Sequence, residues 1–210
     1  MHKVFGLGLS KTGTKTLKTC FETVGYSCAP WSPKLLEDVA VHNDFNGDRQ
    51  AVARFDSFRN WPWPLIYKEM DRSYPASKFI LTVRQDTETW LRSVKNHVRM
   101  KGRPEYVTQE RAYGHQTPVG CENEYCDIYE RHTREVTDHF RDRPEQLLVV
   151  CWETGAGWGE LCRFLDCRTP NQPFPFVNKT PTGFRFRLAQ VEQRLRKRWR
   201  RIRAITKRAS

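Results

Sequence analysis

No stretch of the 210-residue chain approaches the roughly 20 consecutive apolar residues that a bilayer-spanning helix needs, and no leader-type apolar core precedes the first strand-like segment. A cytoplasmic protein is the expectation. The seven cysteines, at positions 20, 28, 121, 126, 151, 162 and 167, are odd in number and include no Cys-x-x-Cys pair. This is neither a disulfide framework nor a common structural zinc spacing, so reduced, buried thiols and no metal are expected.

Acidic residues are nearly missing from one segment. Between Gly183 and Ser210 eleven Arg or Lys residues stand with Glu192 as the single acid, while the other 182 residues hold 25 basic and 23 acidic side chains. The net charge of +12 thus belongs to the tail, and the body is close to neutral. In that tail Phe184, Leu188, Val191, Leu195, Trp199, Ile202 and Ile205 recur at three- and four-residue steps, which predicts an amphipathic helix with a basic outer face. Interleaved aromatics of the kind that nucleic-acid surfaces carry are lacking beyond Trp199, so nucleic acid is not an expected partner. A helix packed on its own domain is the plain reading. Contact with an anionic membrane surface, a polyanionic acceptor or a second subunit in a homodimer are the sharper ones.

What the sequence does have is a phosphate cradle at its start. The apolar run Val4-Phe5-Gly6-Leu7-Gly8-Leu9 leads into Ser10-Lys11-Thr12-Gly13-Thr14-Lys15-Thr16, and Leu17, Cys20, Phe21 and Val24 then fall at helical spacing up to Gly25. A strand, a glycine turn and a helix N-terminus point successive N–H groups at an anion. The nucleotide-triphosphate pattern Gly-x-x-x-x-Gly-Lys-[Ser/Thr] fails here by one residue, because Thr14 stands where lysine should. Lysine instead enters two positions before the glycine, as Lys11.

A second unit repeats this organisation. Lys78-Phe79-Ile80-Leu81-Thr82-Val83-Arg84 reads as a buried strand ending in arginine, with Gln85-Asp86-Thr87 as a helix start and Trp90, Leu91, Val94 and Val98 on an apolar face. Gln146 to Cys151 is a third core strand. Strands alternating with helices predict an α/β domain over residues 1–182, a single P-loop-like three-layer fold whose central parallel sheet is flanked by helices, followed by the basic helix of 183–210. The stretch from Gly102 to Glu124 shows no periodicity and is expected to be a lid or substrate loop.

The Lys11-Thr12-Gly13-Thr14 loop resembles the 5'-phosphosulfate loop of the sulfotransferases that use 3'-phosphoadenosine-5'-phosphosulfate (PAPS). Arg84 and Ser93 match the strand-end arginine and helix serine that bind the 3'-phosphate in that family, although nine positions separate them here where eight are usual. Tyr129-Glu130-Arg131-His132, Gly157-Trp158-Gly159-Glu160-Leu161-Cys162-Arg163-Phe164-Leu165 and Phe174-Pro175-Phe176-Val177-Asn178-Lys179-Thr180 resemble elements of the small bacterial-type branch. The resemblance spans residues 3 to about 180.

It implies that Lys11 donates to the bridging oxygen of PAPS, that Thr12, Gly13, Thr14, Lys15 and Thr16 grip the 5'-phosphate, and that Arg84 and Ser93 hold the 3'-phosphate, with 3'-phosphoadenosine-5'-phosphate (PAP) as product and no metal required. The acceptor, a small molecule, carbohydrate or lipid, must also lose a proton. His132, Asp56 and Glu69 are the candidate bases, because the branch's aspartate before Trp-Pro is Asn60 here. A kinase-like phosphotransferase is the first rival, and Glu153 is its nearest substitute for a metal-binding acid. A non-catalytic nucleotide-binding protein docking through the basic tail is the second.

Overall fold

The computed structural model describes residues 2–101 and 103–177 of the chain. The expected basic helix of 183–210, and the Asn178-Lys179-Thr180 end of the Phe-Pro element, lie outside the described residues.

Four strands form one parallel sheet in the order β2-β1-β3-β4: β1 (Val4–Gly6), β2 (Ser57–Phe58), β3 (Lys78–Val83) and β4 (Leu147–Cys151). Alternation along the strands splits their side chains between two cores. On one face Phe5, Phe58, Phe79 and Leu81 pack with Tyr67 and Met70 of α4 (Tyr67–Ser73) and with Val136 and Phe140 at the end of α7 (Glu122–His139). On the other, Val4, Ile80 and Val150 pack with Leu17, Cys20 and Phe21 of α1 (Thr14–Thr23) and with Trp158, Leu161 and Leu165 of α8 (Trp158–Leu165). Helices therefore cover both faces, as a parallel sheet requires. Phe5 stacks between Phe58 and Phe79 with ring centroids 4.7 and 5.5 Å away, and each such buried aromatic contributes about 1.5–3 kcal/mol.

A third apolar cluster lies beyond the C-terminal end of β1. It joins Leu9, Trp61, Leu36 of α2 (Pro33–His42), the α5 (Thr87–Lys101) residues Trp90, Val94 and Val98, and Tyr125 and Tyr129 of α7. Local signals place these helices correctly. Asp86 caps α5, accepting the Thr89 N–H at 2.5 Å, and α1 closes with the paired bonds Tyr26 N–H to Phe21 carbonyl and Gly25 N–H to Glu22 carbonyl. The segment α3 (Asn46–Arg54) completes the layer beside α2.

The described stretch from 103 to 124 differs from expectation. It forms helix α6 (Arg103–Tyr113) and a turn into α7, and Gln109 and Tyr113 are buried. The Tyr125 hydroxyl sits 3.1 Å from Gln109 Oε1 and 3.0 Å from the His115 carbonyl. A helix anchored through polar and aromatic contacts leaves little hydrophobic period to read. The thiols depart too: all seven are free, but only Cys20 and Cys162 are buried, and burial pushes Cys20 up to about 12. Among the described residues no helix is long and apolar enough to cross a membrane.

One carboxyl strains this core. Asp48 of α3 is fully buried, neither of its oxygens has a hydrogen-bond partner among the described residues, and burial pushes it up to about 7. A carboxyl raised in the folded state favours folding while protonated, and that contribution is lost as pH rises through about 7. That loss begins above about pH 4, where the unfolded carboxyl ionises, so Asp48→Asn is expected to stabilise the protein at pH 8 by on the order of 2 kcal/mol or more and to change little at pH 4. Urea unfolding at the two pH values checks this; equal shifts at both would contradict it.

Candidate functional site

The chain leaves β1 still bonded to β3, since the Leu7 N–H donates to the Ile80 carbonyl at 2.8 Å. At Gly8 the loop presses so closely on β3 that a Cβ would lie 1.9 Å from Thr82 Oγ1 and 2.6 Å from the Thr82 carbonyl. Only glycine fits there. The Thr12 hydroxyl donates to the Leu9 carbonyl at 2.7 Å and meets Thr82 Oγ1 at 2.7 Å, and the Thr12 N–H closes the turn onto Leu9 at 3.3 Å. The Thr12 side chain thus locks the turn from inside. Lys11, at φ 74°, is held in the left-handed region that costs a non-glycine residue about 1–2 kcal/mol.

Two indoles hold the residue before it. Trp61 Nε1 donates to Ser10 Oγ at 3.0 Å, and Trp90 Nε1 donates to the Ser10 carbonyl at 2.9 Å. Gly13, at φ 101°, caps α1, and a Cβ there would lie 2.3 Å from Trp152 Cδ1. The loop is therefore roofed by an indole on its far side. The first N–H groups of α1 have no intrahelical partners, and they begin at this point. Thr14 is half-buried and Lys15 exposed, while the buried Thr16 hydroxyl accepts the Val177 N–H at 3.2 Å.

Sheet order brings the second expected anion site beside the first. Arg84 follows β3, the neighbour of β1, and its Nη1 donates to the Lys11 carbonyl at 3.2 Å. Its Nε and Nη2 both donate to the Glu153 carboxylate at 2.7 Å, and its backbone N–H donates to the Tyr129 hydroxyl at 2.9 Å. Tyr129 in turn stacks on Trp90, with centroids 4.4 Å apart. Ser93 sits one turn beyond Trp90, on the buried side of α5 rather than its surface.

Two buried donors here lack partners among the described residues. Ser93 is 5% exposed and Trp152 is 6% exposed, and neither Ser93 Oγ nor Trp152 Nε1 makes a hydrogen bond. Leaving a buried donor unmade costs about 1–3 kcal/mol.

The base candidates separate. His132 Nε2 lies 2.8 Å from the Leu7 carbonyl, which can only accept, so Nε2 carries the proton; burial holds the ring below the usual histidine range. It stays with the loop. Asp56 does not: its carbonyl accepts the Val4 N–H and its carboxylate binds Ser27 and Lys3, at the N-terminal end of β1, opposite the loop. Its bond to the Ser27 hydroxyl is the main reason its carboxyl is held below the usual range. In a parallel sheet the binding crevice forms at the carboxyl ends of the strands, which is why Asp56 lies away from it. Glu69 pairs with Arg72 at 3.0 Å on α4.

Residues 3–182 match the family model of the sulfotransferase domain. The chain belongs to that family. It is also similar to "Ava biosynthesis cluster protein M" of Aspergillus versicolor, 23% identical over 218 residues that cover 83% of this chain and 80% of that protein. In this sulfotransferase-family chain residues 11–16 follow β1 and Arg84 follows β3, neighbouring strands of the sheet, while Ser93 lies on α5. Trp61, Trp90 and Trp152 were not legible as loop supports. Each reads as core in an apolar pattern, and the available signal was that a buried indole N–H needs a partner.

Gly13→Ala in this sulfotransferase-family domain would combine a left-handed φ with a Cβ 2.3 Å from Trp152 Cδ1 and 2.6 Å from its Nε1. A loss of more than about 2 kcal/mol is expected, and Trp152→Ala in the same chain should recover only the steric part. Thermal melting of the single and double variants tests this; full recovery would show that backbone conformation contributes nothing.

Proposed function

We propose that this chain moves the sulfuryl group of PAPS to a hydroxyl or amine of a small-molecule acceptor, leaving PAP. The observation that carries the reading is the Arg84 Nη1 bond to the Lys11 carbonyl, 3.2 Å long, which joins the glycine-threonine loop to a strand-end guanidinium. A site specific for a nucleotide with a second phosphate needs two cationic anchors in one crevice. Membership of the sulfotransferase domain family and the fungal relative's name, a biosynthesis cluster protein, both agree with a small-molecule acceptor.

The donor supplies the sulfur–oxygen bond that breaks. Lys11 would donate to the oxygen on which negative charge develops as that bond lengthens, and the N–H groups from Gly13 to Thr16 would bind the 5'-phosphate. Because the Thr12 hydroxyl is spent on Leu9 and Thr82, its part is to shape the loop while main-chain donors contact the anion. Arg84 and the unpaired hydroxyl of Ser93 would hold the 3'-phosphate, and the Trp152 N–H offers a further donor beside Gly13. Such positioning and charge stabilisation account for most of the catalysis that this chemistry demands.

Of the base candidates we keep His132. Its tautomer leaves Nδ1 with the lone pair, and its lowered pKa keeps the ring neutral at physiological pH. On this reading the acid limb of the rate profile falls below the ordinary histidine value of about 6.5, and it disappears in His132→Gln. An unchanged limb in that variant would remove His132 from the role.

The reading as a whole is tested by calorimetric titration. PAP should bind at least about tenfold more tightly than 5'-AMP, Arg84→Ala should abolish that difference, and Lys11→Ala should lower turnover by about 100-fold or more with little effect on PAP affinity. Equal affinity for the two nucleotides would overturn it.

A further inference from the structure

The Arg84 guanidinium already has an anion. Glu153 follows β4, the strand paired with β3 on the side away from β1, and register brings Val83 opposite Cys151 so that residues 84 and 153 meet just past the strand ends. The contact is side-on and bidentate, with Nε and Nη2 each 2.7 Å from a carboxylate oxygen, and the Gln85 N–H adds a third bond to Oε2 at 3.3 Å. Both side chains are partly open to solvent, 19% for Arg84 and 33% for Glu153. This pair is exchangeable rather than entombed.

We propose that Glu153 is a resident competitor of the nucleotide's 3'-phosphate: its carboxylate stands in for that group on Arg84 until a ligand bearing a dianion displaces it, which weakens the binding of PAP and leaves that of 5'-AMP unchanged. The inference rests on the reading of Arg84 as the 3'-phosphate anchor. A partly exposed ion pair is weak, so a phosphate dianion outcompetes it, whereas a ligand with a hydroxyl at that position gains nothing from a guanidinium that is already neutralised. The remaining anchors of the guanidinium, the Lys11 carbonyl on Nη1 and Tyr129 on the backbone N–H, do not involve Glu153. Arg84 therefore keeps its place when the carboxylate gives way. Glu153 belongs to the short 3-10 turn Trp152–Thr154 that also carries the indole over Gly13, so the same turn faces both halves of the crevice.

The test compares PAP with 5'-AMP by calorimetry at fixed pH and salt, in the full-length wild type, Glu153→Gln, Arg84→Ala and the double variant. Glutamine keeps an oxygen for the Gln85 N–H and for Arg84 while removing the charge. The expected result is that Glu153→Gln raises the PAP-over-AMP preference about tenfold, that Arg84→Ala abolishes the preference, and that Glu153→Gln adds nothing once Arg84 is gone. A preference that is unchanged or reduced in Glu153→Gln, while Arg84→Ala still abolishes it, overturns this proposal and makes Glu153 an orienting residue. A preference that survives Arg84→Ala overturns instead the reading of the nucleotide site. Should Glu153→Gln fold poorly, Glu153→Asp, whose shorter carboxylate loosens the pair, is expected to move the preference in the same direction; a decrease counts against the proposal.

Discussion

One guanidinium ties together the ends of three adjacent strands. Arg84, after β3, reaches the Lys11 carbonyl after β1 and the Glu153 carboxylate after β4, and its own N–H is fixed by Tyr129 of α7. Charge-assisted bonds of this kind are stronger than neutral ones, and a planar fork imposes direction as well as attraction. The carboxyl edge of the sheet is organised around that fork. A lysine at position 84 would supply the charge without the geometry.

The loop that Arg84 touches is fixed mainly by bonds that no ligand would use. Gly8 lets it lie against Thr82, the Thr12 hydroxyl and N–H close its turn, and two indole N–H groups hold Ser10. A loop restrained in this way has already lost the conformational freedom that binding would otherwise cost. Trp152 presents a contrast, because its N–H is buried and unsatisfied next to Gly13. The indoles behind the loop have partners, and the one in front of it awaits one.

Much of this was legible in the chain's order of residues. The strand of β1, the glycine turn, the Asp86 cap and the apolar face of α5 are local patterns whose periods of two and 3.6 survive inspection. Arg84 was legible because it ends a strand run. Helix α6 was not, since its buried contacts include Gln109 and tyrosines whose hydroxyls bond across to other elements. Asp56 and His132 were equal as titratable residues in the sequence, and only the direction of the strands separates them, one at the amino end and the other behind Leu7.

The sequence by itself determined the fold class and the side chains on offer: a lysine-, glycine- and threonine-rich loop ahead of a helix, an arginine at a strand end, and a neutral body with a basic tail. Local spacing carries that information, because helix caps, glycine turns and strand runs are decided within a few residues. Tertiary structure alone decided the neighbours. The order β2-β1-β3-β4 brings residues 11, 84 and 153 together across separations of 73 and 69 positions. Side-chain pairing at such distances follows from strand register and shared burial, and no short stretch of sequence encodes either.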